Sequence, residues 1–175
     1  MNNHSLSRFL WVAGLIAMQC FIFSRLPLGT FVYPCIYVLF ILFLPFGYSR
    51  ILILLWAFFM GLCVDLLSSD VIGIHTASAV MLAFARPLML KLFSTKTDFD
   101  VYALPSSKTQ GWQACMGYVV LSMTLYHLVY FLLDDFGFYD IVHTLLRTLL
   151  SAVCSTLFIM LLQTLLPHNR KTTAP

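Results

Sequence analysis

Apolar residues run along this chain in six long blocks, at roughly 9–26, 30–46, 51–69, 71–93, 112–133 and 141–166, each closed by a short polar or turn-forming break. Each block is close to the ~20 helical residues that cross the hydrocarbon core of a bilayer. Lipid offers no partner to a backbone N–H or C=O, so a spanning block must be a helix rather than an open strand. The breaks agree with this division. Pro27 and Gly29 part the first two blocks, Pro45-Phe46-Gly47-Tyr48 the second and third, Ser68-Ser69-Asp70 the third and fourth, and Asp134-Asp135-Phe136-Gly137 the last two. The second block is the shortest and carries Pro34 near its start. One extended polar stretch, 94–111 with Lys96, Lys108, Asp98 and Asp100, is expected to lie on the membrane surface. The pattern predicts a single domain over 1–175: an all-α, polytopic membrane bundle of about six transmembrane helices.

Composition strengthens that reading. Of the 175 residues, 61% are hydrophobic and 10% charged, and the mean hydropathy is +0.91. A soluble domain of this size needs far more polar surface. The formal charge of +3 is modest, and no basic run with interleaved aromatics points to nucleic acid. The first 20 residues resemble a signal peptide in having an arginine before an apolar run. They lack a small-x-small cleavage site, so the expectation is an uncleaved first helix. Cys20, Cys35, Cys63, Cys115 and Cys154 are scattered through apolar blocks with no C-x-x-C pair, which suits small buried hydrophobes better than a metal or disulfide framework.

Charge placement suggests an orientation. With six spans and the N-terminus inside, the cytoplasmic side receives Arg8, Arg50, Arg86, Lys91, Lys96, Lys108, Arg170 and Lys171. The outer side receives Arg25 and Arg147, with Asp70, Asp134, Asp135 and Asp140. Because Lys and Arg set orientation, the expectation is N-in, C-in.

The candidate chemistry lies in 61–86. Gly61 and Asp65 are four apart in the third block and share a helix face. A glycine one turn from a carboxylate allows a second helix to approach closely. Asp65 has several partners within reach: the turn at Gly73, the hydroxyls of Ser68 and Ser69, and His75. In the fourth block His75, Ala79, Ala83 and Arg86 follow a 4-4-3 spacing along one stripe, expected to be a helix-contact face. Pro87 next to Arg86 is expected to kink that helix and free a carbonyl. Tyr118, Ser122 and Tyr126 share a face of the fifth block, suited to lining an interior or packing on the fourth. His127 reads as a hydrogen-bonded histidine rather than a metal ligand. Arg147 has Asp140, Asp135 and Asp65 as possible partners, and His143 lies one turn before it.

These residues resemble a known family. Gly61-Leu62-Cys63-Val64-Asp65-Leu66-Leu67-Ser68, followed after a short gap by Gly73-Ile74-His75-Thr76, looks like the pattern of the MreD family of rod shape-determining proteins. The motif covers about 20 residues; length, hydropathy and the basic C-terminal tail are similar over the whole chain. The resemblance implies a multi-pass protein of the bacterial inner membrane, similar in fold to the six-helix substrate-binding subunits of ECF-type vitamin transporters. It also implies a place in the cell-elongation machinery. The partners would be a bitopic MreC-like protein, an MreB-like filament, and a RodA-type glycosyltransferase with its transpeptidase. The connection at 94–111 is longer than in many relatives.

Three classes of function follow. The first is a non-enzymatic scaffold or regulator of peptidoglycan synthesis, with Gly61, Asp65, Ser68, Gly73, His75, Ala79, Ala83 and Arg86 as its structural and interaction motif. No P-loop, H-E-x-x-H or G-x-S-x-G is present, and no catalytic residue, cofactor or metal is expected. The second is a small-molecule-binding membrane protein or transporter subunit, with Asp65 and His75 on the ligand and Tyr118 and Tyr126 lining the site. The third, an intramembrane enzyme using Asp65 or His75 as acid or base, has no nucleophile nearby to work with.

Overall fold

The computed structural model describes residues 3–23, 31–68, 71–93, 103–135 and 141–165. Among these, the regular elements are all helices: α1 (Asn3–Phe21), α2 (Val38–Leu42), α3 (Arg50–Ser68), α4 (Ile74–Phe93), α5 (Ser107–Gln110), α6 (Trp112–Asp134) and α7 (Ile141–Leu165). Helices α3, α4, α6 and α7 are long and apolar enough to cross a membrane, while the apolar part of α1, Val12–Phe21, is shorter. This is the make-up of an integral membrane protein.

The chain folds as a series of packed neighbours: α3 on α4, α4 on α6, α6 on α7, with α1 against α3 and α2 against α3 and α4. The buried face of α3, with Ile53, Ala57, Met60, Gly61, Val64 and Asp65, repeats at the helical period. Its opposite face is also apolar, with Ile51, Leu55, Phe58 and Phe59 exposed. Helix α7 goes further and reverses the soluble pattern. Thr144, Thr148, Ser151 and Ser155 point inward while Leu149, Val153, Leu157 and Leu161 point out. Small polar residues inside and large apolar ones outside are what a lipid solvent selects, because only the interior can satisfy a hydroxyl.

Two expectations are corrected. The block at 30–46 is not one long helix. From 31 to 37 it is non-helical, and only Val38–Leu42 form a helix, five residues long. Pro34 lacks an N–H and pushes the residue before it out of the α region, so a helix cannot start across this stretch. The stretch 94–111 does not simply lie on a surface. Its described part, from 103 onward, docks into the bundle: Phe46 N–H donates to Ala103 O at 3.1 Å, and Ser106 and Gln110 are buried. The positions 94–102 lie outside the described residues, as do Pro27, Gly29, Ser69 and Asp70.

Candidate functional site

The first N–H groups of any helix have no partner within that helix. Helix α4 has no acidic residue in its own first turn to meet this need; Asp65 of α3 supplies one from outside. Its Oδ1 accepts the His75 N–H at 3.0 Å, and its Oδ2 accepts the Thr76 N–H at 3.0 Å and the Thr76 hydroxyl at 2.5 Å. A carboxylate at this position also meets the positive end of the α4 dipole. The turn before it is closed by Gly73 at φ +106°, a left-handed conformation that suits glycine.

Gly61 makes this contact reachable. A Cβ added there would stand 2.6 Å from Thr76 Cα and 3.0 Å from His75 O, so α3 and α4 touch backbone to backbone. Ser68 takes no part in the cap. Its hydroxyl donates to Val64 O at 2.7 Å in its own helix and lies 3.8 Å from Cys20 Sγ. The imidazole of His75 does not bond Asp65 either.

Instead that ring enters a closed set of hydrogen bonds. The hydroxyl of Tyr37 donates to His75 O at 3.3 Å. Tyr37 then accepts from the Tyr126 hydroxyl at 2.9 Å, and Tyr126 in turn accepts from His75 Nδ1 at 2.8 Å. With the Tyr37 proton on His75 O, Tyr126 donates to Tyr37 and accepts from Nδ1–H, and Nε2 faces the Tyr33 hydroxyl at 3.5 Å. Tyr33 stacks on Tyr130 with ring centroids 5.3 Å apart, and Tyr130 lies 4.9 Å from His75.

Below this cluster, the backbone of 31–36 runs through the interior with its polar groups met by side chains of three helices. Gln19 of α1 accepts the Ile36 N–H at 2.8 Å and donates to Pro34 O at 3.1 Å. Ser151 and Ser155 of α7 accept the N–H groups of Tyr33 and Cys35 at 3.0 and 2.9 Å. His127 of α6 places Nε2 3.0 Å from Tyr33 O and Nδ1 2.8 Å from Met123 O. Irregular backbone at membrane depth is tolerated only when protein replaces the missing water in this way. The sequence reading took this segment for part of a short spanning helix with Pro34 near its start. Its signals were Pro34, a glutamine in the middle of an apolar block, and the one-turn spacing of Ser151 and Ser155.

The remaining stripe of α4 is buried at His75, Ala79, Ala83 and Arg86. Arg86 reaches past the short helix: its guanidinium donates to Leu44 O and, at 3.4 Å, to Leu42 O. Tyr118 donates to the same Leu42 O at 3.1 Å, which sets two donors on the carbonyl end of α2. Ser122 donates to Met89 Sδ at 3.2 Å. Pro87 lies inside α4 and leaves the Ala83 carbonyl without its usual donor.

Arg147 bridges Asp135 at 2.9 Å and Asp134 at 3.3 Å, not Asp65, and its guanidinium lies 4.3 Å over the Phe131 ring. Asp140 lies outside the described residues. His143 packs its ring on Phe31, with centroids 5.2 Å apart. The five cysteines are free, with Cys20, Cys35 and Cys115 buried. Among the described residues no group of three His, Cys, Asp or Glu side chains is placed to hold a metal.

Compared with family models, curated proteins and solved structures, the chain matches none of them.

Proposed function

We propose that this chain is a multi-pass protein of the bacterial inner membrane, N-in and C-in with about six crossings, that acts as a non-enzymatic scaffold or regulator of the cell-wall elongation complex. Its partners would be an MreC-like bitopic protein, an MreB-like filament and a RodA-type glycosyltransferase with its transpeptidase. The observation that carries the reading is the use made of the motif: both oxygens of Asp65 are occupied by donors of the next helix, and Gly61 carries the approach of that helix. Groups used in this way support a packing role, holding α3 and α4 together as a hairpin. A rigid bundle with apolar outer faces on α3 and α7 suits lateral docking of a single partner helix. Photo-crosslinkers at Phe58 and Leu149, both exposed, are expected to capture an MreC-like protein in growing cells. If neither position, nor its neighbours on the same faces, yields such an adduct, the scaffold reading fails.

A second reading, a small-molecule-binding protein or transporter subunit, is favoured by one observation. Tyr33, Tyr130, His75 and Tyr126 gather their rings at one end of the bundle. A ligand among these rings would raise the thermal midpoint of the purified chain, and Tyr130→Ala would abolish that rise. A screen of vitamins, lipids and wall precursors without a stabilising hit counts against it.

A further inference from the structure

The end of the bundle opposite the Asp65 cap holds a buried charge with no carboxylate beside it among the described residues. Arg86 is 2% exposed. Its described bonds go only to the carbonyls of Leu42 and Leu44, and its Nε is buried without a partner. The described carboxylates are elsewhere. Asp134 and Asp135 bind Arg147, and Asp65 caps the first turn of α4, about 18 Å along the helix from Arg86. A buried cation compensated by neutral dipoles alone is costly, and an orphaned N–H adds to that cost.

A second orphan lies at the same end. Gln110, 8% exposed, has neither amide nitrogen nor oxygen partnered. It closes α5, whose Ser107 receives a bond from Gln163 Nε2 at 3.4 Å. Gln163 Oε1 in turn accepts from Cys115 at 3.6 Å, one turn before Tyr118 on α6. Around this floor the exposed surface is basic at Arg50, Lys91 and Lys108 and apolar at Leu88, Leu92 and Trp112. That mixture marks the headgroup level of a bilayer, where tryptophan and basic side chains collect.

We propose that Arg86 and Gln110 form a site for the phosphate-bearing headgroup of an anionic phospholipid. Arg86 supplies the charge and the unused N–H; Gln110 supplies a donor to a phosphate oxygen and an acceptor for a headgroup hydroxyl. A lipid fits better than a soluble anion because leucine and tryptophan flank the site beside the basic residues, giving acyl chain and headgroup each a matching surface.

The test uses the purified full chain in nanodiscs of phosphatidylglycerol or of phosphatidylcholine, read by thermal midpoint and by native mass spectrometry of retained lipid. The midpoint is expected to be higher in phosphatidylglycerol, with that lipid retained roughly five- to tenfold over phosphatidylcholine. Arg86→Gln removes the difference and Arg86→Lys keeps part of it. Gln110→Leu, which deletes two unpartnered polar atoms, is expected to be as stable as the parent in phosphatidylcholine while losing part of the phosphatidylglycerol gain. Should Arg86→Gln fail to fold, the Gln110→Leu pair of midpoints decides alone. Equal behaviour of the parent in both lipids overturns the proposal. So does an undiminished gain in Gln110→Leu, or stabilisation by inorganic phosphate in phosphatidylcholine to the same extent, which would assign a soluble anion instead.

Discussion

At Gly61 the space for one methyl group is missing. The atom in the way is Thr76 Cα, 2.6 Å from where a Cβ would stand, and backbone cannot rotate aside as a side chain can. Gly61→Ala is therefore expected to push α4 off α3, at a cost of about 1–3 kcal/mol, seen as a lowered thermal midpoint in detergent. Asp65 answers to a different rule, the number of donors left without an acceptor. Asparagine keeps one oxygen and presents an NH2 group where a second acceptor is needed, so either His75 N–H or the pair of Thr76 donors is orphaned. Asp65→Asn should lose about 1–3 kcal/mol and Asp65→Ala more. Under the proposed scaffold function, a cell-shape defect in these variants should scale with lost protein, which immunoblotting alongside microscopy would show. A shape defect at full abundance would mean that the carboxylate does something besides capping. The glycine-to-aspartate spacing was legible in the sequence because helix geometry puts both on one face. The cap on the turn at Gly73 was among the partners the sequence offered to Asp65, beside the Ser68 and Ser69 hydroxyls and His75; the Thr76 N–H and hydroxyl were not named, and Ser68 bonds within its own helix.

The segment 31–37 extends the same argument to an element. Tyr33 lies beside His75 and Leu42 beside Arg86, so the segment runs through the interior alongside α4 for the about 17 Å that separate those two residues of the helix. Hydropathy could not distinguish this from a lipid-facing helix, since both are apolar; only backbone satisfaction separates them. Gln19 meets two of the exposed backbone groups, Ser155 one. Gln19→Leu is accordingly expected to cost about twice as much as Ser155→Ala, each orphaned group being worth about 1–3 kcal/mol. Unfolding of the two variants by titrated detergent would give that ratio. Near-neutral effects for both would mean that water reaches the segment. The longer blocks at 51–69, 71–93, 112–133 and 141–166 were readable to within a few residues because each is a single uninterrupted helix.

On the scale of the molecule, the two ends differ in charge. One carries Asp134 and Asp135 with Arg147 and the capped start of α4. The other carries Arg50, Arg86, Lys91 and Lys108 without a described carboxylate. Retention of basic residues on the cytoplasmic side would fix the second end inside, and α6 joins the two, from Trp112 to Asp134. A thiol at each end of this one helix therefore reads the orientation. In a chain with Cys63 and Cys154 replaced by alanine, the remaining cysteines are buried, so a new thiol at Lys108 or at Asp134, both exposed, reports alone. A membrane-impermeant maleimide applied to spheroplasts is expected to label Asp134→Cys and to leave Lys108→Cys untouched until the membrane is opened. The opposite pattern would turn the bundle over and place the Arg86 floor in the outer leaflet. It would also put the Asp65 cap on the cytoplasmic side. Labelling of both thiols in sealed spheroplasts would show that α6 does not cross at all.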